Sequence, residues 1–325
     1  MSRSATGGCE RGEPAEGALK VTITGATGLI GSALVSALHS RGAELTVLSR
    51  DPERARLRAP GLASVQVLRW DPLREPAPAE ALAGRDAVVN LAGESVAQRW
   101  SESAKRAIRD SRVTGTRNLV AGLHECEARP RTLVSASGVN YYGPRGEEPL
   151  DEDAPAGRDF LAEACSAWEA QAATAAALGV RVVQLRTGVV LAPRGGALAK
   201  MITPFRLGLG GPVAGGRQYI SWIHLEDHIA LLLAALKDER WSGPLNATAP
   251  EPVTNGEFSR ALARALHRPA LVPVPGFALR LLYGEMAEVI TTGQRVLPAK
   301  ALVLGFRFRH AHVREALEAV LASGA

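Results

Sequence analysis

Three glycines at intervals of three, Gly25, Gly28 and Gly31, stand where the apolar run Leu19 to Ile23 gives way to a segment patterned as a helix by Ile30, Leu34, Val35 and Leu38. A strand that hands over to a helix through such a turn leaves few folds open. Gly25 permits the tight turn, Gly28 lets backbone approach a pyrophosphate that a Cβ would block, and Gly31 lets the new helix pack close. The first helical turn directs unpaired N–H groups outward, which is where anions bind. The segment therefore predicts a dinucleotide-binding turn, with Gly25, Thr27, Gly28, Leu29, Ile30 and Gly31 as its contacts.

The next strand, Leu45 to Leu48, ends in Ser49 and Arg50. A fold selective for NAD places an acid at this point to hold the ribose 2′-hydroxyl. A hydroxyl and a guanidinium stand here instead, and a 2′-phosphate calls for a planar cation with several donors. The pair predicts NADP(H) rather than NAD(H). Asp51 comes one residue late for the acid role and reads, with Pro52, as the start of the next turn.

Further strand-like runs recur at Val65 to Leu68, Ala87 to Leu91, Thr132 to Ser135 and Val180 to Leu185, with helix-like stretches such as Ser101 to Cys126 and Asp159 to Leu178 between them. This alternation predicts an α/β fold, a Rossmann doubly wound parallel sheet. After Leu191 the chain turns to Gly and Pro, which predicts a loop insertion over about 192–222. The expected organisation is a disordered extension over 1–18, an NADP-binding core over 19–250 that carries the insertion, and a smaller mixed substrate lobe over 251–325.

Apolar residues make up 46% and charged residues 22%, enough to bury a sizeable core. The net charge is +5, yet no basic run with interleaved aromatics is present, so nucleic acid is not an expected partner. Cys9, Cys126 and Cys165 are widely spaced and form no CxxC pair, which argues against a disulfide framework or a zinc knuckle and for a reducing, cytoplasmic setting. No apolar run reaches the roughly 18 residues of a membrane span. The expected partner is a small-molecule substrate bound by a monomer or homodimer.

Beyond residue 18 the chain resembles the extended short-chain dehydrogenase/reductase superfamily, and within it the atypical epimerase-like family with its own C-terminal domain. The likeness is carried by Gly25 to Gly31, Ser49-Arg50, Asn90 to Glu94, Arg99-Trp100, Ser111-Arg112, Ser135 to Ser137 with Tyr141 to Gly143, and Trp168-Glu169. It continues through Arg186 to Leu191, Pro204 to Arg206, Ser221 to His224, Gly293 to Val296 and Gly305-Phe306. It implies Asp71 at the adenine, Leu91, Ala92, Gly93 and Glu94 along the ribose and pyrophosphate, and Ser135 facing the nicotinamide. Arg112, Gly188 and Val189 are further implied cofactor contacts.

The chain departs from the superfamily at the reacting groups. Most members use Tyr-x-x-x-Lys after strand five, where the lysine makes the phenol a proton donor. The tyrosines here are 141, 142, 219 and 283, and none has a lysine four residues on; Leu161 and Cys165 stand where the pair is expected. As an enzyme, the chain is expected to use Ser137 and Tyr141 as catalytic groups, with Tyr142, Lys200, Arg206, Trp222 and His224 on the substrate. The alternative is a non-catalytic NADPH-binding sensor. His224 and His228 have the i, i+4 spacing of a metal pair around Asp227, but a neutral hydrogen-bonding role suffices for His224 and no metal is expected.

Overall fold

The computed structural model describes residues 18–58, 65–270 and 272–323. The extension expected over 1–18 falls almost wholly outside these residues, as does Cys9. Strand β1 (Lys20–Thr24) buries four of its five residues, the pattern of a strand covered on both faces. It is followed by α1 (Leu29–His39), β2 (Glu44–Ser49), α2 (Pro52–Arg58), β3 (Gln66–Arg69), α3 (Ala79–Leu82) and β4 (Ala87–Asn90). Then come α4 (Glu102–His124), β5 (Thr132–Gly138), β6 (Pro149–Leu150), α5 (Phe160–Ala173) and β7 (Arg181–Thr187).

The second half contains β8 (Val189–Leu191), α6 (Gly196–Arg206), β9 (Tyr219–Ile220), β10 (Trp222–His224), α7 (Leu225–Lys237), β11 (Gly243–Ala247), β12 (Val253–Thr254) and α8 (Asn255–Ala265). The short elements α9 (Gly276–Tyr283), α10 (Ala287–Thr291), β13 (Arg295–Val296) and α11 (Ala299–Val303) lead to α12 (Val313–Ser323).

Seven strands form one parallel sheet in the order β11-β7-β5-β4-β1-β2-β3. The order reverses between β1 and β4, and ligands of such sheets sit beyond the carboxyl ends of the strands at that crevice. Neighbouring residues of each strand serve opposite faces. Val47, Val89, Val134 and Val183 join the layer under α1 and α7, while Leu48, Val88, Leu133 and Val182 join the layer under α3, α4 and α5. Each fully buried Val or Leu contributes about 1.5–3 kcal/mol, so these layers fix the strand register that aligns the carboxyl ends.

A third cluster joins Leu198, Ile202 and Phe205 of α6 to Trp222, to Phe258 and Leu262 of α8, and to Leu317 and Val320 of α12. The pairs β8–β10, β9–β12 and β6–β13 frame this lobe. The expected loop over 192–222 thus contains a helix. Its glycines and prolines mark the edges, whereas Leu198, Ile202 and Phe205 recur at i, i+4 and i+7 and supply the buried stripe. No helix among the described residues is long and apolar enough to cross a membrane.

Helix α4 starts at Ser101, whose hydroxyl accepts the Ala104 amide at 3.1 Å, and its glycines differ sharply in surroundings. A Cβ on Gly122 would fall on the Ala77 carbonyl, whereas one on Gly115 would meet only the Pro72 Cβ at 3.4 Å. Gly115→Ala is expected to be neutral or stabilising, because Ala gains up to about 1 kcal/mol over Gly inside a helix. Gly122→Ala should lose about 1–3 kcal/mol net through overpacking. Urea unfolding of the two variants checks the contrast, and equal midpoints would refute it.

Candidate functional site

The crevice between β1 and β4 opens as a cleft of about 620 Å³ lined by the Thr24–Gly28 turn, the β2 end, Trp70, Pro72 and Leu91 to Gly93. Gly25 has φ +71°, and a Cβ there would lie 2.7 Å from the Leu91 carbonyl and 2.8 Å from the Ala92 nitrogen. Its carbonyl accepts the Gly28 amide at 3.0 Å, and a Cβ on Gly31 would collide with that same carbonyl. Gly28 stands exposed at the head of α1 with no side-chain cap, so the helix offers its N–H groups to the cleft. Thr27 lines the cleft, and Leu29 and Ile30 open α1 beside it.

The floor of the crevice is held by one chain of side chains. The Thr24 hydroxyl accepts the Leu91 and Ala92 amides at 3.1 and 3.2 Å and donates to Asn90 Oδ1 at 2.7 Å. Asn90 Nδ2 and Trp168 Nε1 both donate to the Thr116 hydroxyl, at 2.9 and 2.8 Å. At the other rim stand Ser49 and Arg50 with Arg54 and Arg58 of α2. Arg54, Arg58 and Trp70 carried no motif and escaped sequence reasoning. Glycine-lined walls, a free helix N-terminus and a cationic rim fit an adenine dinucleotide, and the volume lies within the usual range of roughly 300–1,000 Å³ for ligand pockets.

Beyond the crevice lies a buried polar network. Arg186 donates through Nε and Nη2 to both oxygens of Glu169, each at 2.9 Å. Ser137 donates to the same carboxylate at 2.6 Å. Arg186 Nη1 reaches the Tyr142 hydroxyl at 2.9 Å and the Glu152 carbonyl at 3.1 Å, and Tyr142 donates to Asn246 at 2.7 Å. The Arg186 guanidinium lies 3.5 Å from the centre of the half-buried Tyr141 ring. Burial works against the Arg186 charge, yet Glu169 and Tyr142 hold it and drive its pKa up. Burial pushes the Tyr142 phenol up to about 12 and the Cys165 thiol up to about 11.

The profile of the NAD dependent epimerase/dehydratase family matches residues 21–246. The chain belongs to this family. A second profile, a domain of unknown function (DUF1731), matches residues 274–320. An epimerase family protein of Mycobacterium bovis is 45% identical over 299 residues, covering 91% of this chain and 96% of its own. Human epimerase family protein SDR39U1 is 36% identical over 309 residues, covering 94% of this chain and 100% of its own. The crystal structure of the human protein with NADPH has TM-score 0.82 and 34% identity, covering 94% of this chain and 99% of that one.

In this epimerase-family chain several expected contacts take other places. Tyr142 and Trp222 are wholly buried, and the Trp222 indole donates to the Glu251 carbonyl at 3.0 Å. Both are core side chains, because an aromatic with one polar atom satisfies a core as readily as a pocket wall. Gly188 is glycine because a Cβ would strike the Ser221 carbonyl, which places it and Val189 in strand packing. The Asp71 carboxylate accepts the Leu73 amide at 3.1 Å and pairs with Arg74 at 3.3 Å, just outside the cleft lining. Ser135 is buried. Glu94 and Arg112 stay beside the cleft, and Lys200 reaches the Ala97 carbonyl at 3.2 Å while Arg206 is exposed. Glu169 had a sequence signal in retrospect: it shares the apolar stripe of Cys165 and Ala172, where a charge requires a partner.

His224 and His228 serve different neighbours. His224 Nδ1 accepts the Glu226 amide at 3.2 Å and its ring stacks on His310 at 3.7 Å. His228 Nε2 lies 3.0 Å from the Thr187 hydroxyl. His224, Glu226 and His310 do converge to within 4.8 Å, but the Glu226 carboxylate is paired with Arg309 at 2.9 Å.

Burial, with His310 and Arg309 beside it, presses His224 down from 6.5 to about 4; burial alone takes His228 to about 4. The unfolded chain binds these protons from about pH 6.5 downward, while the folded chain resists until about pH 4. Their contribution to stability is therefore complete above pH 6.5 and lost as the pH falls toward 4. The urea midpoint should be lower at pH 5 than at pH 7.5, with a smaller gap in His228→Gln. An unchanged gap in that variant would assign the loss to other groups.

Proposed function

We propose that this protein binds NADP(H) in the crevice and acts as an NADP(H)-dependent oxidoreductase or epimerase on a small polar or anionic carbonyl or sugar-type substrate. The observation that carries the reading is the β2 end, where Ser49 and Arg50 replace the expected acid and Arg54 and Arg58 share the rim. A guanidinium favours a 2′-phosphate and repels nothing in NADPH, whereas NADH leaves it unpaired. The human relative's structure with NADPH supports the same choice. When bound, the cofactor supplies or takes a hydride. On the protein side, Tyr141 beside Ser137 is the proton donor, and Lys200 and Arg206 of α6 face an anionic or polar ligand.

One observation favours a second reading. Leu161 and Cys165 are buried in α5 where the superfamily places its tyrosine and lysine, and this suits a non-catalytic NADPH sensor. Turnover in a carbonyl and nucleotide-sugar screen, lowered at least tenfold by Tyr141→Phe, selects the enzyme; cofactor binding without turnover selects the sensor.

Titration of the native protein and Arg50→Ala with NADPH and NADH tests the cofactor. NADPH should bind at least tenfold tighter, about 1.4 kcal/mol, to the native protein, and the substitution should shrink that preference. Equal binding of the two dinucleotides by the native protein refutes the NADP(H) assignment.

A further inference from the structure

An arginine that leaves solvent normally spends its donors on the protein. Arg85, Arg112, Arg145, Arg181 and Arg186 all do so, on carboxylates or backbone carbonyls. Arg295, in β13, does not. It is half-buried, its Nε is shut off from solvent without an acceptor, and among the described residues it forms neither a hydrogen bond nor an ion pair. Every other described arginine without a partner is exposed. Nη1 and Nη2 are unpartnered as well, but unlike Nε they remain within reach of solvent.

The backbone around Arg295 is firmly held. Strand β13 pairs in parallel with β6, Arg295 opposite Pro149, and the Ser221 hydroxyl donates to the Gln294 carbonyl at 2.7 Å and accepts the Val296 amide at 2.9 Å. The Ser221 carbonyl in turn accepts the Val189 amide at 2.8 Å, just past the carboxyl end of β7, the edge of the sheet at which ligands bind. Val296 is wholly buried with Tyr142 and Leu150, and because neighbouring strand residues serve opposite faces, Arg295 turns the other way. There its guanidinium carbon lies 5.4 Å from the centre of the Tyr219 ring. A Cβ on Gly293 would strike the Tyr219 carbonyl, so glycine lets β9 come close enough to supply that ring. Carboxylates bonded around β6 are already committed: Glu148 holds Arg145 at 2.8 Å, and Glu152 accepts the Asn246 and Lys300 amides. Neither Arg295 nor Tyr219 lines the cleft between β1 and β4.

An aromatic face attracts a guanidinium but accepts none of its in-plane hydrogen bonds, and donors withdrawn from water without acceptors are costly. The open edge of Arg295 is the planar fork that phosphate and carboxylate oxygens match. We infer that Arg295, backed by Tyr219, is a subsite for the anionic group, phosphate or carboxylate, of a second ligand that binds outside the dinucleotide cleft. The inference rests on the substrate reading above and narrows it, from a polar or anionic ligand to one that carries a negative charge at this position.

The test uses the full-length protein loaded with saturating NADPH and titrated calorimetrically with inorganic phosphate and with malonate. Arg295→Gln should weaken the probe that binds by about tenfold or more and leave NADPH affinity unchanged. Arg117→Gln, which removes an exposed arginine of α4, should change neither. Arg295→Lys, which keeps the charge without the fork, should fall between native protein and Arg295→Gln. The tighter probe names the group, phosphate for a phosphorylated ligand and malonate for a carboxylate. Probes that bind native protein and Arg295→Gln alike, or that fail to bind native protein, overturn the inference. A loss of NADPH affinity in Arg295→Gln overturns it too, because Arg295 would then serve the cofactor. Native protein alone supplies a further check that depends on no variant folding: phenylglyoxal should modify Arg295, read by mass spectrometry of its peptide, and the bound probe should slow that reaction. A rate that the probe leaves unchanged counts against the subsite in the same way. Failure of the cofactor reading would show separately, as native protein that binds neither dinucleotide while anion titrations of the cofactor-free protein still respond to Arg295→Gln.

Discussion

The ion pair between Arg186 and Glu169 fastens β7 to α5 in the interior, and the buried polar network beyond the crevice is arranged around it. Two ions taken out of water cost several kcal/mol each, and only excellent geometry with every remaining donor satisfied recovers that cost. Here the pair is bidentate at 2.9 Å, and the spare Arg186 donors go to Tyr142 and the Glu152 carbonyl. The Glu152 carboxylate in turn accepts the Asn246 amide at 3.0 Å and the Lys300 amide at 3.1 Å. The C-terminal segment is thereby locked to the sheet through the same network that fixes Ser137. Removing either ion would leave the other buried and unpaired, so this arrangement is over-determined.

The crevice and the buried network beyond it are built on opposite principles. On the adenosine side the binding groups are backbone amides, glycine surfaces and exposed arginines, which reach a ligand without a fixed rotamer. In the network, Arg186, Ser137 and Tyr142 are buried and their hydrogens are already assigned. The first kind of surface suits a dinucleotide, because helix N–H groups and exposed cations attract phosphate. Chemistry needs the second kind, because groups that must meet a reacting atom cannot reorganise at that moment.

Much of the fold could be read from the residues, because its signals are local. The glycine triplet encodes a turn whose collisions with Leu91, Ala92 and the Gly25 carbonyl are backbone contacts that any side chain would disturb. Continuous apolar strands encode a sheet covered on both faces. What stayed hidden depends on tertiary partners. Helix α6 lies among glycines and prolines that punctuate only its ends, so composition masked a stripe three residues wide. Tyr142, Trp222 and His224 read as ligand groups because amphipathic side chains look alike at a pocket wall and in a core. Arg54 and Arg58 have no motif, and they become rim residues only once α2 is set beside the β2 end. Glu169 carried its meaning in a single misplaced charge.

The Ser137 hydroxyl shows how the departure from the usual tyrosine and lysine constrains any reaction. A hydroxyl has one hydrogen, and that hydrogen points at Glu169 over 2.6 Å. What Ser137 can offer a ligand is a lone pair, so it pairs with a ligand hydroxyl or amide N–H and gives nothing to a bare carbonyl oxygen. Tyr142 donates to Asn246 and its phenol is held up near 12, whereas Tyr141 is only half-buried. Tyr141 has no lysine behind it, but it lies flat on the Arg186 guanidinium, a cation that cannot give up its proton. On the proposed enzyme reading, with Tyr141 as the proton donor, Ser137 offers a ligand a lone pair and no hydrogen.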